Sequence, residues 1–95
     1  MRNADAYTVS INEATKRFEV HTEGEDSYID FRWYEDRLVL LYIYVPPPFR
    51  GKGVSQSLIE FALQTAREKN LKVQVYCPYI AKYIRMHSQH HDLMA

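Results

Sequence analysis

Every position in the run Leu38-Val39-Leu40-Leu41-Tyr42-Ile43-Tyr44-Val45 is apolar or aromatic, and Pro46-Pro47-Pro48 follows at once. A strand without a polar face belongs in the middle of a sheet that is covered on both sides. The prolines end it, because proline has no amide hydrogen to give to a ladder. Gly51-Lys52-Gly53 comes next. Val54, Leu58, Phe61, Ala62, Thr65 and Ala66 then recur at helical spacing, with Gln56, Glu60, Gln64 and Arg67 on the outer side. The spacing predicts a helix from about Val54 to Lys69, stopped by Asn70. Leu71 to Tyr76 alternates again and reads as a strand. Strand, helix and strand in immediate succession form one crossover unit, with parallel strands and a right-handed connection. The glycine loop then opens at the carboxyl end of the sheet, where open α/β sheets bind ligands.

The remaining segments supply antiparallel partners. Tyr7 to Asn12 alternates, and Glu13-Ala14-Thr15-Lys16 connects it to a second alternating run, Arg17 to His21. After the polar turn from Thr22 to Asp26, Ile29, Phe31 and Trp33 share one face of a strand and Tyr28, Asp30, Arg32 and Tyr34 the other. Glu35-Asp36 turns into the apolar run. Beyond the last strand, Pro78 suits the first turn of a helix carrying Ile80, Ala81 and Ile84 inward. Ser88 to Ala95 reads as a short, partly mobile tail. The expected architecture combines α+β with an α/β crossover. It is a mixed, mostly antiparallel five-stranded sheet, in the order ββββαβα, forming a single domain over residues 1–95.

A chain of 95 residues has room for one modest core, so any site must share it. Twelve basic and twelve acidic residues cancel. No global field then draws the protein to nucleic acid or an anionic membrane, and an anion site has to be local. Cys77 is the single cysteine, which excludes an internal disulfide and fits a reducing cytoplasm. Met1-Arg2-Asn3-Ala4-Asp5 has no apolar run after a basic region and does not read as a signal peptide. No stretch approaches the length of a membrane span. The expectation is a cytoplasmic monomer or weak dimer with neither a nucleic-acid nor a membrane partner.

The glycine loop carries the first chemical signal. A proline-stopped strand, two glycines one residue apart and a helix starting immediately after bring several amide hydrogens without helical partners toward one point. Glycine lets the backbone approach a phosphate, the helix dipole adds partial positive charge, and Arg50 and Lys52 add full charges at the rim. An isolated Gly-x-Gly also serves an ordinary strand-to-helix turn. The dinucleotide fingerprint needs a third glycine and the ATP loop needs Gly-Lys-Ser/Thr after a longer spacing, and neither is completed here.

Arg50-Gly51-Lys52-Gly53-Val54-Ser55 resembles the pyrophosphate-binding motif of GNAT acetyltransferases, Gln/Arg-x-x-Gly-x-Gly/Ala. Arg50 stands first, Gly53 is the central glycine, and Ser55, also small, takes the Gly/Ala place. The resemblance continues through Val45 to Gly53, the long helix, Leu71-Lys72-Val73, and Cys77-Pro78-Tyr79-Ile80-Ala81-Lys82-Tyr83-Ile84. From about Leu38 to Leu93 the chain looks like the minimal GNAT-like family of bacteria and plants. That resemblance implies a GNAT-like fold with acetyl-CoA between two parallel strands that splay apart. Its pyrophosphate would rest on the amides of Gly51 to Ser55 and its pantetheine along Tyr44-Val45.

Acetyl transfer from a thioester to an amine needs a neutral amine, a donor to polarise the carbonyl and an acid for the departing thiolate. Cys77, just before the Pro78 helix, is either a nucleophile that carries the acetyl group in two steps or a buried, inert thiol. Tyr83 resembles the tyrosine that many GNAT enzymes use as general acid, and a half-buried packing tyrosine is the plain alternative. The glutamate that such enzymes often carry on the strand before the loop is missing, since the run here is Tyr42-Ile43-Tyr44. Lys82 and Arg85 flank Tyr83, as contacts for CoA phosphates or as a solvated helix face. His87, His90 and His91 with Asp92 complete no known zinc motif, so solvated histidines and no metal are expected. His87 or His91 is alternatively a base at the acceptor mouth.

The leading reading is therefore an acetyl-CoA-dependent N-acetyltransferase acting on an unidentified amine of a small molecule or protein. A non-catalytic CoA-binding module is the alternative. A small interaction domain comes third, and the balanced charge argues against its nucleic-acid version.

Overall fold

The computed structural model describes residues 7–22 and 24–95. The Met1 to Asp5 segment, which bears on a signal peptide, and Glu23, in the turn after the second strand, lie outside the described residues. Strands β1 (Ser10–Asn12), β2 (Arg17–Val20), β3 (Ser27–Tyr34) and β4 (Arg37–Tyr44) form an antiparallel meander in chain order. Helix α1 (Val54–Glu68) leads to β5 (Lys72–Val75), which adds to β4 in parallel, and α2 (Pro78–Arg85) follows. The five-stranded mixed sheet and the order ββββαβα match the expectation.

Period-two patterning sets the layers. Along β3, Ser27, Ile29 and Phe31 are buried while Tyr28 and Asp30 turn to the opposite face. Both helices pack on the buried face, where Leu58, Ile59, Ala62 and Leu63 of α1 and Ile80 and Ile84 of α2 meet Phe18, Phe31, Leu38, Leu40 and Val73 in one core. Each fully buried large side chain contributes about 1.5–3 kcal/mol. Among the described residues no helix covers the other face, and Tyr34, Tyr42 and Tyr76 stand 50–63% exposed on the sheet's uncovered side and rim. The expectation that the whole apolar run is covered on both sides is thus corrected. Only Leu38, Val39 and Leu40 of β4 are buried, and its second half borders open space.

A bulge separates the two halves. Asp30 lies opposite Tyr42 but Phe31 lies opposite Leu40, which leaves Leu41 as an extra residue on β4. In an unbroken strand Tyr42 would follow Leu40 onto the helical face. The extra residue hands that face to Ile43, opposite Ile29, and turns Tyr42 outward.

Helix α1 ends as the sequence predicts. Asn70 adopts φ 58°, Leu71 N–H donates to the Ala66 carbonyl and Asn70 N–H to that of Arg67, which together form a Schellman cap. Ser88–Leu93 forms a 3-10 segment rather than a mobile tail. Leu93 enters the core at 6% exposure, and Met94 bridges Val73 in parallel, covering the free edge of β5. Arg67 clamps Asp92 at 2.9 Å and Lys72 donates to the Asp92 carbonyl at 2.7 Å.

Candidate functional site

The parallel ladder between β4 and β5 runs from Arg37 opposite Lys72 to Leu40 opposite Val75, with one further bond from Tyr76 N–H to the Leu40 carbonyl. There it stops. The Leu41 bulge bends β4 one way, while Cys77, with extended φ and ψ, turns the chain into α2. The edge of β4 that β5 occupied as far as Leu40 is open from Leu41 onward. The strands diverge around a cavity of about 450 Å³. Tyr42, Ile43, Tyr44 and Val45 form one wall, Phe49, Arg50, Gly51, Val54 and Ser55 the end, and Cys77, Pro78 and Tyr79 the other wall.

The end wall is built for an anion. Pro46 is buried and Pro47–Phe49 forms a single 3-10 turn that folds the chain back, with Arg50 Nε donating to the Val45 carbonyl at 2.7 Å. Gly51 and Gly53 both sit in the left-handed region, at φ 74° and 90°, where an L side chain is strained. A Cβ on Gly51 would meet nothing within 4 Å, so it is the backbone conformation rather than crowding that calls for glycine. Gly53 caps α1 without any side-chain bond, and the first intrahelical bond runs from Ser57 N–H to the Gly53 carbonyl at 3.1 Å. The amides of Val54, Ser55 and Gln56 precede that bond and have no intrahelical acceptor. With the dipole of a 15-residue helix behind them, they suit a phosphate. These residues fit the nucleotide thioester that the loop resemblance implies.

The structure brings Tyr44, Val45, Arg50, Gly51, Val54, Ser55 and Cys77 together in this cleft. Gly53 and Lys52 belong to the same loop without lining it, and the Lys52 carbonyl accepts from the Tyr7 hydroxyl at 3.1 Å. Cys77 is 5% exposed. Lys82 and Arg85 lie on the exposed side of α2, away from the cleft, so the phosphate contact expected of them has no geometric support.

Tyr83 is likewise elsewhere. Its hydroxyl donates to the Glu60 carboxylate, and burial followed by that carboxylate pushes the phenol far above the ordinary tyrosine range. Its phenol is held by a carboxylate between α1 and α2 and does not line the cleft, so the geometry lends the acid role expected of it no support. Glu60, expected on the outer side of α1, is half-buried for the same reason, and His90 Nε2 also bonds it at 3.0 Å. His90 is therefore 9% exposed instead of solvated. His87 stacks on Tyr83 at 3.9 Å and His91 Nε2 meets the Ile84 carbonyl, so neither reaches the cleft. Among the described residues no group of three His, Cys, Asp or Glu could hold a metal ion.

Sequence reasoning missed Ile43, Phe49, Pro78 and Tyr79 as lining residues. The signal for Tyr79 was its position one helical turn before Tyr83. Its phenol lies 3.1 Å from the Ser55 hydroxyl. Among the described residues that line the cleft, none is a carboxylate or a histidine. No helix of the described residues is long and apolar enough to cross a membrane.

Residues 17–93 match the protein family described as GCN5-related N-acetyl-transferase. The chain is 37% identical to Protein NATD1 of Xenopus tropicalis, across 53% of this chain and 57% of that one. It is equally identical, at 37%, to the Homo sapiens protein of the same name, across 53% and 55% of the two chains. It thus spans a little over half the length of these curated relatives. The NMR solution structure of a GCN5-like protein from Staphylococcus aureus is similar with a TM-score of 0.75 over 100% of this chain and 91% of that one, at 19% identity. At that identity the likeness establishes the fold alone.

Proposed function

Because this chain belongs to the GCN5-related N-acetyltransferase family, we propose that it binds acetyl-CoA in the cleft between β4 and β5 and transfers the acetyl group to an amine. One observation carries the reading: the parallel ladder ends at Leu40 and Val75, and the gap beyond it leads to the uncapped amides of α1. Acetyl-CoA, when bound, supplies an activated acetyl thioester.

The chain's own groups do the rest. The amides of Val54, Ser55 and Gln56 bind the diphosphate, with Arg50 and Lys52 adding charge at the rim. The open edge of β4 offers peptide groups to the amides of the pantetheine arm. Near the bulge, its N–H groups are the donors available to polarise the thioester carbonyl. The apolar and aromatic walls exclude water, which strengthens those bonds. Transfer is direct from thioester to a neutral amine: the C–S bond breaks as the C–N bond forms, and the proton the amine sheds leaves on the departing thiol. A relay through Cys77 has only the N-terminus of α2 to favour its thiolate, because the thiol is 5% exposed and none of the described residues lining the cleft is a carboxylate or histidine.

The same observation favours a second reading, a module that binds CoA without turnover, because none of the described residues lining the cleft is suited to deprotonate an ammonium. Thiol release from acetyl-CoA across a panel of amines, polyamines and lysine peptides separates the two, with CoA binding measured by calorimetry in parallel. Release above the amine-free rate supports the transferase. Binding without release for any amine at alkaline pH, where the amines are neutral, supports the module.

A further inference from the structure

Ser55, in the first turn of α1, and Tyr79, in the first turn of α2, have hydroxyl oxygens 3.1 Å apart. Both line the cleft, and Tyr79 is 56% exposed, so this bond rather than packing orients its phenol. One turn further on, Tyr83 reaches across to Glu60 and anchors α2 against α1. The two tyrosines thus divide the work along one face of α2: Tyr83 ties the helices together, and Tyr79 overhangs the cleft.

A hydroxyl carries one donor hydrogen and two acceptor lone pairs. In the pair as it stands, one hydrogen is spent on a neutral acceptor. A phosphate oxygen accepts a stronger, charge-assisted bond, so exchanging the mutual bond for two bonds to an anion is favourable. Two donors 3.1 Å apart converge on a single phosphate group. They stand beside the amides of Val54, Ser55 and Gln56, and so at the anion end of the cleft. The Tyr79 hydroxyl, within hydrogen-bond reach of Ser55, is at that end too. This gives Ser55, where the related loop motif has Gly or Ala, a chemical use.

We propose that the Ser55 and Tyr79 hydroxyls both donate to the diphosphate of CoA and make the site select thioesters that carry the nucleotide diphosphate over those built on pantetheine alone. The proposal rests on the reading that the cleft binds CoA. These are positioning residues for the donor substrate, not catalytic ones.

Calorimetry on the full chain, with CoA and phosphate-free pantetheine as the two probes, tests it. Tyr79→Phe and Ser55→Ala should each weaken CoA about tenfold. The double variant should lose more than either, Ser55→Thr should keep the wild-type affinity, and pantetheine should bind all forms alike. Melting temperatures within a few degrees of wild type establish that the variants are folded. Wild-type affinity for CoA in both single variants overturns the proposal while leaving the CoA reading intact, and so does an equal loss for CoA and pantetheine. A wild-type chain that binds no CoA overturns both.

Discussion

The Tyr83 phenol donates to the Glu60 carboxylate, across 23 residues of sequence and from one helix to the other. His90 closes on the same carboxylate from the C-terminal 3-10 segment, and His87 stacks on the Tyr83 ring. Three elements meet at one acidic side chain that does not line the cleft. Tyr83→Phe removes one donor and leaves His90 to hold Glu60. The expected outcome is a loss of about 1 kcal/mol in unfolding free energy with turnover unchanged. Denaturant titration and thiol release check it together. A tenfold drop in kcat at unchanged stability would return Tyr83 to the thioester.

Gly53 stands at φ 90° at the head of α1. Gly53→Ala forces an L residue into that conformation, at a cost of about 1–2 kcal/mol. Its methyl group would have only the Gln56 side chain nearby, at 3.8 Å, so CoA affinity should fall modestly. Gly53→Glu adds a negative charge at the anion end and should weaken CoA far more than the alanine does. Calorimetry on both separates strain from charge. Equal affinities for the two variants would mean that the helix terminus does not face the phosphates.

The β4, glycine-loop, α1 and β5 unit was legible because each boundary has its own local cause: three prolines stop the strand, two left-handed glycines make the loop, and Asn70 takes the left-handed C-terminal position of α1. The bulge was not. Every residue from Leu38 to Val45 is apolar or aromatic, so no break in alternation marks Leu41, and the run that reads as doubly covered core is half core and half cleft wall. The C-terminal segment was misread because its anchors are distant: His90 holds Glu60, Asp92 holds Arg67, and Met94 pairs with Val73. Local pattern carries no trace of such partners. For the same reason the sequence gives no sign that Tyr79 overhangs the cleft while Tyr83, one turn on, bonds Glu60.

The Arg67 clamp makes a pH prediction. Its hydrogen bond holds the Asp92 carboxyl below the usual aspartate range. A depressed folded-state value adds stability that is fully present above the unfolded pKa and lost as pH falls through the lowered one. Arg67→Ala should therefore melt below wild type at neutral pH, and the two melting curves should converge in acid once the pH has fallen through the lowered Asp92 value. Thermal scans across that range check it. A gap that persists in acid would show that Arg67 acts by packing, not by charge.

Direct transfer predicts that Cys77 stays unmodified. Intact-mass spectrometry after incubation with acetyl-CoA alone should show no acetyl adduct, and Cys77→Ala should retain turnover within a few fold. An adduct at Cys77, with activity lost in the alanine variant, would replace direct transfer with a two-step route.

The splay beyond Leu40 and Val75 and the head of α1 together make the proposed CoA site. Amide NMR during a CoA titration tests it most directly. Shifts should concentrate at Gly51, Gly53, Val54 and Ser55 and along Tyr42 to Tyr44, with β1 and β2 unmoved. Shifts confined to the uncovered sheet face, or none at saturating CoA, would contradict it.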